Sequence, residues 1–215
     1  MISQRPRSLI NAESLRTKLP RGFNREKGMI GNEALLKITH GWLVGFDAGE
    51  FGGGLWFVDS VGQSHKLTGE NVHGLMSTPQ GTLVFVGLSH LGLDTGKVLL
   101  VDDSSGVVPT VRSLLDLDGA PKAITPVSAR SAIVVTTQGV SEVNSSGGSQ
   151  TLIYRVFLSL DPNSVASTSQ GAVYIGMRMF VVRLEPESGH YTEQWLVPTE
   201  CAHFERKDYD CVCQK

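Results

Sequence analysis

The residues best suited to chemistry by type lie near the end of the chain. Cys201-x-His203 and Cys211-x-Cys213 put four soft ligands within 13 residues, the number a tetrahedral zinc site takes. The spacing argues against it, because closed sites mostly use Cys-x₂₋₄-Cys knuckles and a one-residue gap strains chelation of a single ion. A local disulfide such as Cys201 to Cys211, or free thiols on the tail, are the other readings. A catalytic cysteine needs a positioned base and a pocket, and no surrounding pattern identifies one. The chain has only these three cysteines, too few and too clustered for a domain-wide disulfide framework.

A second cluster is Gly49-Glu50-Phe51-Gly52-Gly53-Gly54. A phosphate cradle requires a strand, a glycine-rich turn and then a helix. Here Leu55-Trp56-Phe57-Val58 follows, which reads as another strand, so a bulged hairpin connection that lets Phe51 pack is the better expectation. No Gly-x-Ser-x-Gly elbow, His-Glu-x-x-His pair or dinucleotide fingerprint opening a helix occurs,.

The elements that must position these residues are short and repetitive. Glycine makes up 24 of 215 residues, about 11% against a usual 7%, without a collagen period. Apolar runs start at Gly41, Gly81, Ser131 and Gly171, spaced 40, 50 and 40 residues apart. Each is rich in β-branched or aromatic residues, as strands are. A second run follows each, ending in a polar cluster closed by Gly62, Gly106, Gly147-Gly148 or Gly189. A third run leaves that turn, and another precedes each template. Four antiparallel strands in about 40–50 residues is the period of a propeller blade.

The chain therefore resembles β-propellers of the tryptophan-aspartate-repeat, NHL and gluconolactonase-like kind, over residues 34–198. The resemblance rests on period and strand pattern. The recurring Gly-His and Trp-Asp marks are missing. The stretch from Gly45 to Trp56 is similar to one in uncharacterised bacterial propeller-like proteins, which brings no activity with it. The resemblance implies an all-β propeller of four or five blades with a short N-terminal extension at 1–33 and a Cys-containing tail at 199–215. A β-sandwich of similar strand number is the alternative. Asn11 to Arg16 is expected to begin a short helix capped by Asn11. Trp42, Trp56 and Trp195 are expected to be core.

Strand alternation puts the connections after the second and fourth strands of each blade on one face. That face should carry Asp47, Glu50, Phe51, Glu70, His73, His90, Asp94, Asp116, Asp118 and Asp161. Loops on a rigid scaffold are where binding residues concentrate. Ordinary turn chemistry explains Asp and Asn there as well. The functional expectation is a non-enzymatic binding protein using this face for a protein partner, with Leu91 and Leu93 adding apolar contact. A bacterial toxin-neutralising immunity protein is one version. The alternative is a metal-dependent hydrolase or lactonase at the channel mouth. Gluconolactonase-like propellers hold a metal with acidic and amide side chains, and Glu50 would correspond to their Glu; the other ligands are not matched. No cofactor is expected, with calcium or zinc as the exceptions.

A formal charge of −2 argues against a nucleic-acid binder. No apolar run of 18 residues occurs, so no membrane span is expected, and the expected compartment is the cytoplasm.

Overall fold

The computed structural model describes residues 19–104, 106–154 and 160–197. Asn11 to Arg16 and the tail carrying Cys201, His203, Cys211 and Cys213 lie outside the described residues. The architecture is all-β, with four antiparallel sheets of four strands each, in a propeller-like arrangement. No helix among the described residues is long and apolar enough to cross a membrane.

Sheet 1 holds β1 (Asn32–Ile38), β2 (Gly41–Asp47), β3 (Gly53–Asp59) and β4 (Ser64–Thr68). Sheet 2 holds β5 (Val72–Thr78), β6 (Gly81–His90), β7 (Leu93–Asp102) and β8 (Thr110–Leu117). Sheet 3 holds β9 (Pro121–Pro126), β10 (Ser131–Thr136), β11 (Gly139–Asn144) and β12 (Ser149–Tyr154). Sheet 4 holds β13 (Ser164–Ser167), β14 (Val173–Gly176), β15 (Val181–Glu187) and β16 (His190–Leu196). Each sheet is a meander in chain order, as the repeat in the sequence requires. In the first three sheets the pairing of third and fourth strands slips by one residue, at Leu55/Trp56, Val98/Leu99 and Val140/Ser141. Such bulges increase local twist, and their recurrence marks the sheets as copies of one unit.

The apolar runs are continuous because interior sheets are covered on both faces. Successive strand residues point to opposite sides. In β6, Val84 and Val86 join a core with Leu43, Leu55 and Phe57 of sheet 1. The alternate residues Leu83 and Phe85 join Ala132, Val134 and Val143 of sheet 3. β10 divides the same way, Ile133 and Val135 packing with Val173, Ile175, Val182 and Leu184 of sheet 4. A single strand thus feeds two cores. Gly45 lets the first two sheets approach closely, since a Cβ there would lie 2.4 Å from Val72 Cγ1.

Among the described residues no sheet precedes sheet 1, yet its outer face is buried. Residues 19–31 form a strap across it, with Leu19 and Met29 packed on Val44, Phe46, Trp56 and Val58. Arg25 fastens the strap. Its guanidinium lies 5.6 Å from the Phe46 ring centroid and meets the carboxylate of buried Glu33. Glu26 meets the Ser64 hydroxyl. At the β3–β4 turn a Cβ on Gly22 would lie 2.3 Å from the Val61 carbonyl oxygen, so the two backbones lie flush. Part of the segment expected as a mere extension therefore does the work of a neighbouring sheet. No hydrophobic cluster among the described residues joins sheet 4 to sheet 1, and the sheets do not close into a ring.

Trp56 is buried, edge-on to Phe46 with ring centroids 5.5 Å apart. Trp42 is half-buried beside the same cluster. Trp195 departs from the core expectation: it is 44% exposed and stacks on Phe180 at the outer strand of sheet 4.

Candidate binding face

Two connections dominate the face. The first joins β2 to β3 through a short 3-10 turn, Gly49–Phe51. Asp47 Oδ1 accepts the Gly49 N–H at 3.0 Å. Buried Asn71, which precedes β5, grips the loop from the next sheet. Its amide nitrogen donates to the Gly49 carbonyl at 2.9 Å, and its Oδ1 accepts from the Ala48 N–H at 3.3 Å. Gly53 makes room for that grip: at φ +148° a Cβ would stand 2.2 Å from Asn71 Oδ1. The glycine cluster thus serves close backbone approach. Phe51 does not pack as expected. It is 78% exposed, because the turn points it away from the sheets.

The second connection, Gly87 to Gly96, reads as a ten-residue loop from its glycine and polar content but is strand almost throughout. Cross-strand pairing continues through that stretch, from Gly87↔Gly96 to His90↔Leu93. Only Leu91 and Gly92 form the turn, at φ +45° and +88°. A residue with positive φ followed by Gly is the signal of a two-residue hairpin turn. The flanking residues alternate as a strand does. The result is a projecting hairpin with Leu91 at its tip.

Most of the polar residues expected on the face are brought together, and they engage one another. His73 lies in β5, where its Nδ1 is 3.3 Å from Asp47 Oδ2 and its Nε2 donates to the Gly87 carbonyl at 3.0 Å. Glu50 meets His90, tying the 3-10 turn to the hairpin tip. Glu70 pairs with Lys97 at 2.7 Å, and this hydrogen bond and charge hold the Lys97 pKa above its ordinary value. All three pairs span the junction of sheets 1 and 2.

Asp94 works at the next junction. It accepts the Ala120 N–H at 2.9 Å, the Thr137 hydroxyl at 2.6 Å and the Gln138 amide at 2.7 Å. Burial pushes its pKa up, but the hydrogen bonds and the charge of Lys122 outweigh this and hold it below the ordinary value,. Asp116 and Asp118 are exposed at the end of sheet 2. Asp118 engages through its backbone carbonyl, which accepts from Thr136 at 2.7 Å. Asp161 stands apart, exposed before sheet 4 at φ +49°.

Sequence reasoning missed Asn71, Thr137 and Gln138, which organise this face without advertising any chemistry. Among the described residues no three His, Cys, Asp or Glu side chains form a group that could hold a metal ion. A concavity of about 320 Å³ opens on the opposite side, between Thr39, Ser77, Thr78, Thr82 and Asp103. Polar groups there already serve the fold: Asp103 accepts the Thr39 N–H at 3.0 Å, and Thr78 donates to the Gly81 carbonyl at 2.8 Å.

No family model matches the chain, and no curated protein does. A solved structure of a protein provisionally assigned as a gluconolactonase is similar at 13% identity and a TM-score of 0.46. The match covers 77% of this chain and 63% of that one, so the chain spans less than two thirds of that protein's length.

Proposed function

We propose that the chain is a non-enzymatic binding module, its four sheets acting as propeller blades that present the β2–β3 turn and the β6–β7 hairpin to a protein partner. One observation carries this reading: Phe51, Leu91 and Leu93 are 78%, 93% and 50% exposed on two connections that Glu50 and His90 tie together. Large apolar side chains held outward on a rigid rim suit the centre of an interface, where aromatic and aliphatic anchors carry most binding energy. Three pairs of polar side chains, Asp47 with His73, Glu50 with His90 and Glu70 with Lys97, span the junction of sheets 1 and 2 beside them. That arrangement stiffens the rim.

The test uses the full chain with a photo-reactive side chain at position 92, in its source cells. Wild type should give one discrete adduct, and a Phe51→Ser/Leu93→Ser double variant of unchanged melting temperature should lose it. An adduct that survives the double variant would sink the reading. Neutralising a toxin is the narrower version of this role. It is tested by binding of the purified product of an adjacent toxin gene to wild type and to the double variant.

A further inference from the structure

Leu91 occupies a position that folding does not favour for it. The two-residue turn of the β6–β7 hairpin needs positive φ at both residues, and Asn, Asp or Gly is the ordinary first residue there. A leucine with its Cβ in the left-handed region crowds the following carbonyl. Its side chain is 93% exposed, so no packing among the described residues offsets the strain. Burial cannot be the reason for an apolar residue at this tip.

Charge around the tip says what would meet it. Asp116 and Asp118 are exposed at the foot of the hairpin, where Asp116 pairs in register with Lys97. Lys97, the cation of the hairpin, is held by Glu70 and also offsets the charge of Asp116. The Asp118 carboxylate has no hydrogen-bond or ion-pair partner among the described residues. The hairpin that carries Leu91 at its tip thus has at its foot one carboxylate, Asp118, that is unpaired among the described residues. Resting on the binding role above, we propose that Leu91 and Phe51 are anchors for a cationic amphipathic segment of the partner, with Leu91 kept where it weakens the fold. An anionic lipid surface would be repelled by the same carboxylates.

The probes are a labelled 14-residue amphipathic peptide of Leu and Lys, its Leu/Glu counterpart, and vesicles containing phosphatidylserine. Anisotropy and thermal melting are measured on the full chain, Leu91→Asn and Phe51→Ser. Leu91→Asn should raise the melting temperature by about 2 °C, the scale on which relief of such strain is read in a chain of this size. It should also weaken Leu/Lys peptide binding by about 10-fold or more. Phe51→Ser should weaken binding with melting unchanged, and the Leu/Glu peptide and vesicles should not bind. A lower melting temperature for Leu91→Asn, equal binding of both peptides, or binding to vesicles would overturn the proposal. If the peptides fail while the position-92 adduct is still lost in the double variant, the cationic segment is removed and the protein-binding role stands.

Discussion

Asp94 and Thr137 lock two sheets together. The carboxylate on β7 accepts the hydroxyl of a residue that is fully buried in the β10–β11 turn, at 2.6 Å. Sheets 2 and 3 are therefore joined at their rim by a charged hydrogen bond as well as by the apolar contacts between them.

Asp94→Ala leaves the Thr137 hydroxyl and the Ala120 N–H without that acceptor, and should destabilise the chain by about 1–3 kcal/mol. Urea unfolding at pH 7 checks this. The Asp94 pKa is lowered in the folded state, so its contribution is present at neutral pH and fades as pH falls below the ordinary value of 3.8,. The difference between wild type and variant should therefore be full at about pH 5 and shrink as pH falls below 3.8,.

Removing Arg25 should loosen the strap. Glu33 is 8% exposed, and one of its oxygens has no hydrogen-bond partner among the described residues. Taking away the guanidinium leaves a buried carboxylate without its counter-charge, an effect of about 3–5 kcal/mol in buried pairs. Arg25 is itself partly exposed, so the lower end is expected for Arg25→Ala. Trp56 lies beneath the strap, and its emission should shift to the red before the main unfolding transition. A coincident shift would show that the strap does not open separately.

Gly53→Ala should be costly out of proportion to its size. The new methyl group would meet Asn71 Oδ1 at 2.2 Å and the Phe46 carbonyl oxygen at 2.7 Å, at a φ that side chains rarely adopt. A loss of about 2 kcal/mol or more is expected, with faster proteolysis at the freed Gly49–Phe51 turn. Equal resistance to protease would show that Asn71 does not anchor the turn.

Glu50→Gln tests how much the exposed pair with His90 matters. Both side chains are more than one third exposed, and such pairs contribute about 0–1 kcal/mol. Melting should hardly change. A drop of several degrees would mean that the 3-10 turn depends on that charge.

The strands were legible because each β-branched run is bounded by glycine or a polar cluster, and β10 spans Ser131–Thr136 as the run itself does. The β6–β7 hairpin was not, because its polar and glycine residues read as loop while their pairing depends on a two-residue turn. Phe51 misled in the other direction: aromatic character predicts burial, but a tip that points away from every sheet cannot supply it. The strap left little trace because it has no period. Its holding residues, Arg25, Gly22 and Met29, touch partners far along the chain. Asn71 could have been suspected from its place just before a strand, beside a glycine-rich loop.

The strap gives the array a direction of growth. A further four-strand unit spliced in ahead of Asn32 would have to displace Leu19, Met29 and Arg25 from a face they already fill. One spliced in after Leu196 would meet the side of sheet 4 that carries Tyr174, Val181 and Arg183, all half-buried. Duplication or engineered lengthening should therefore be resisted at the start of the repeats more than between sheets, since the strap already fills the first face.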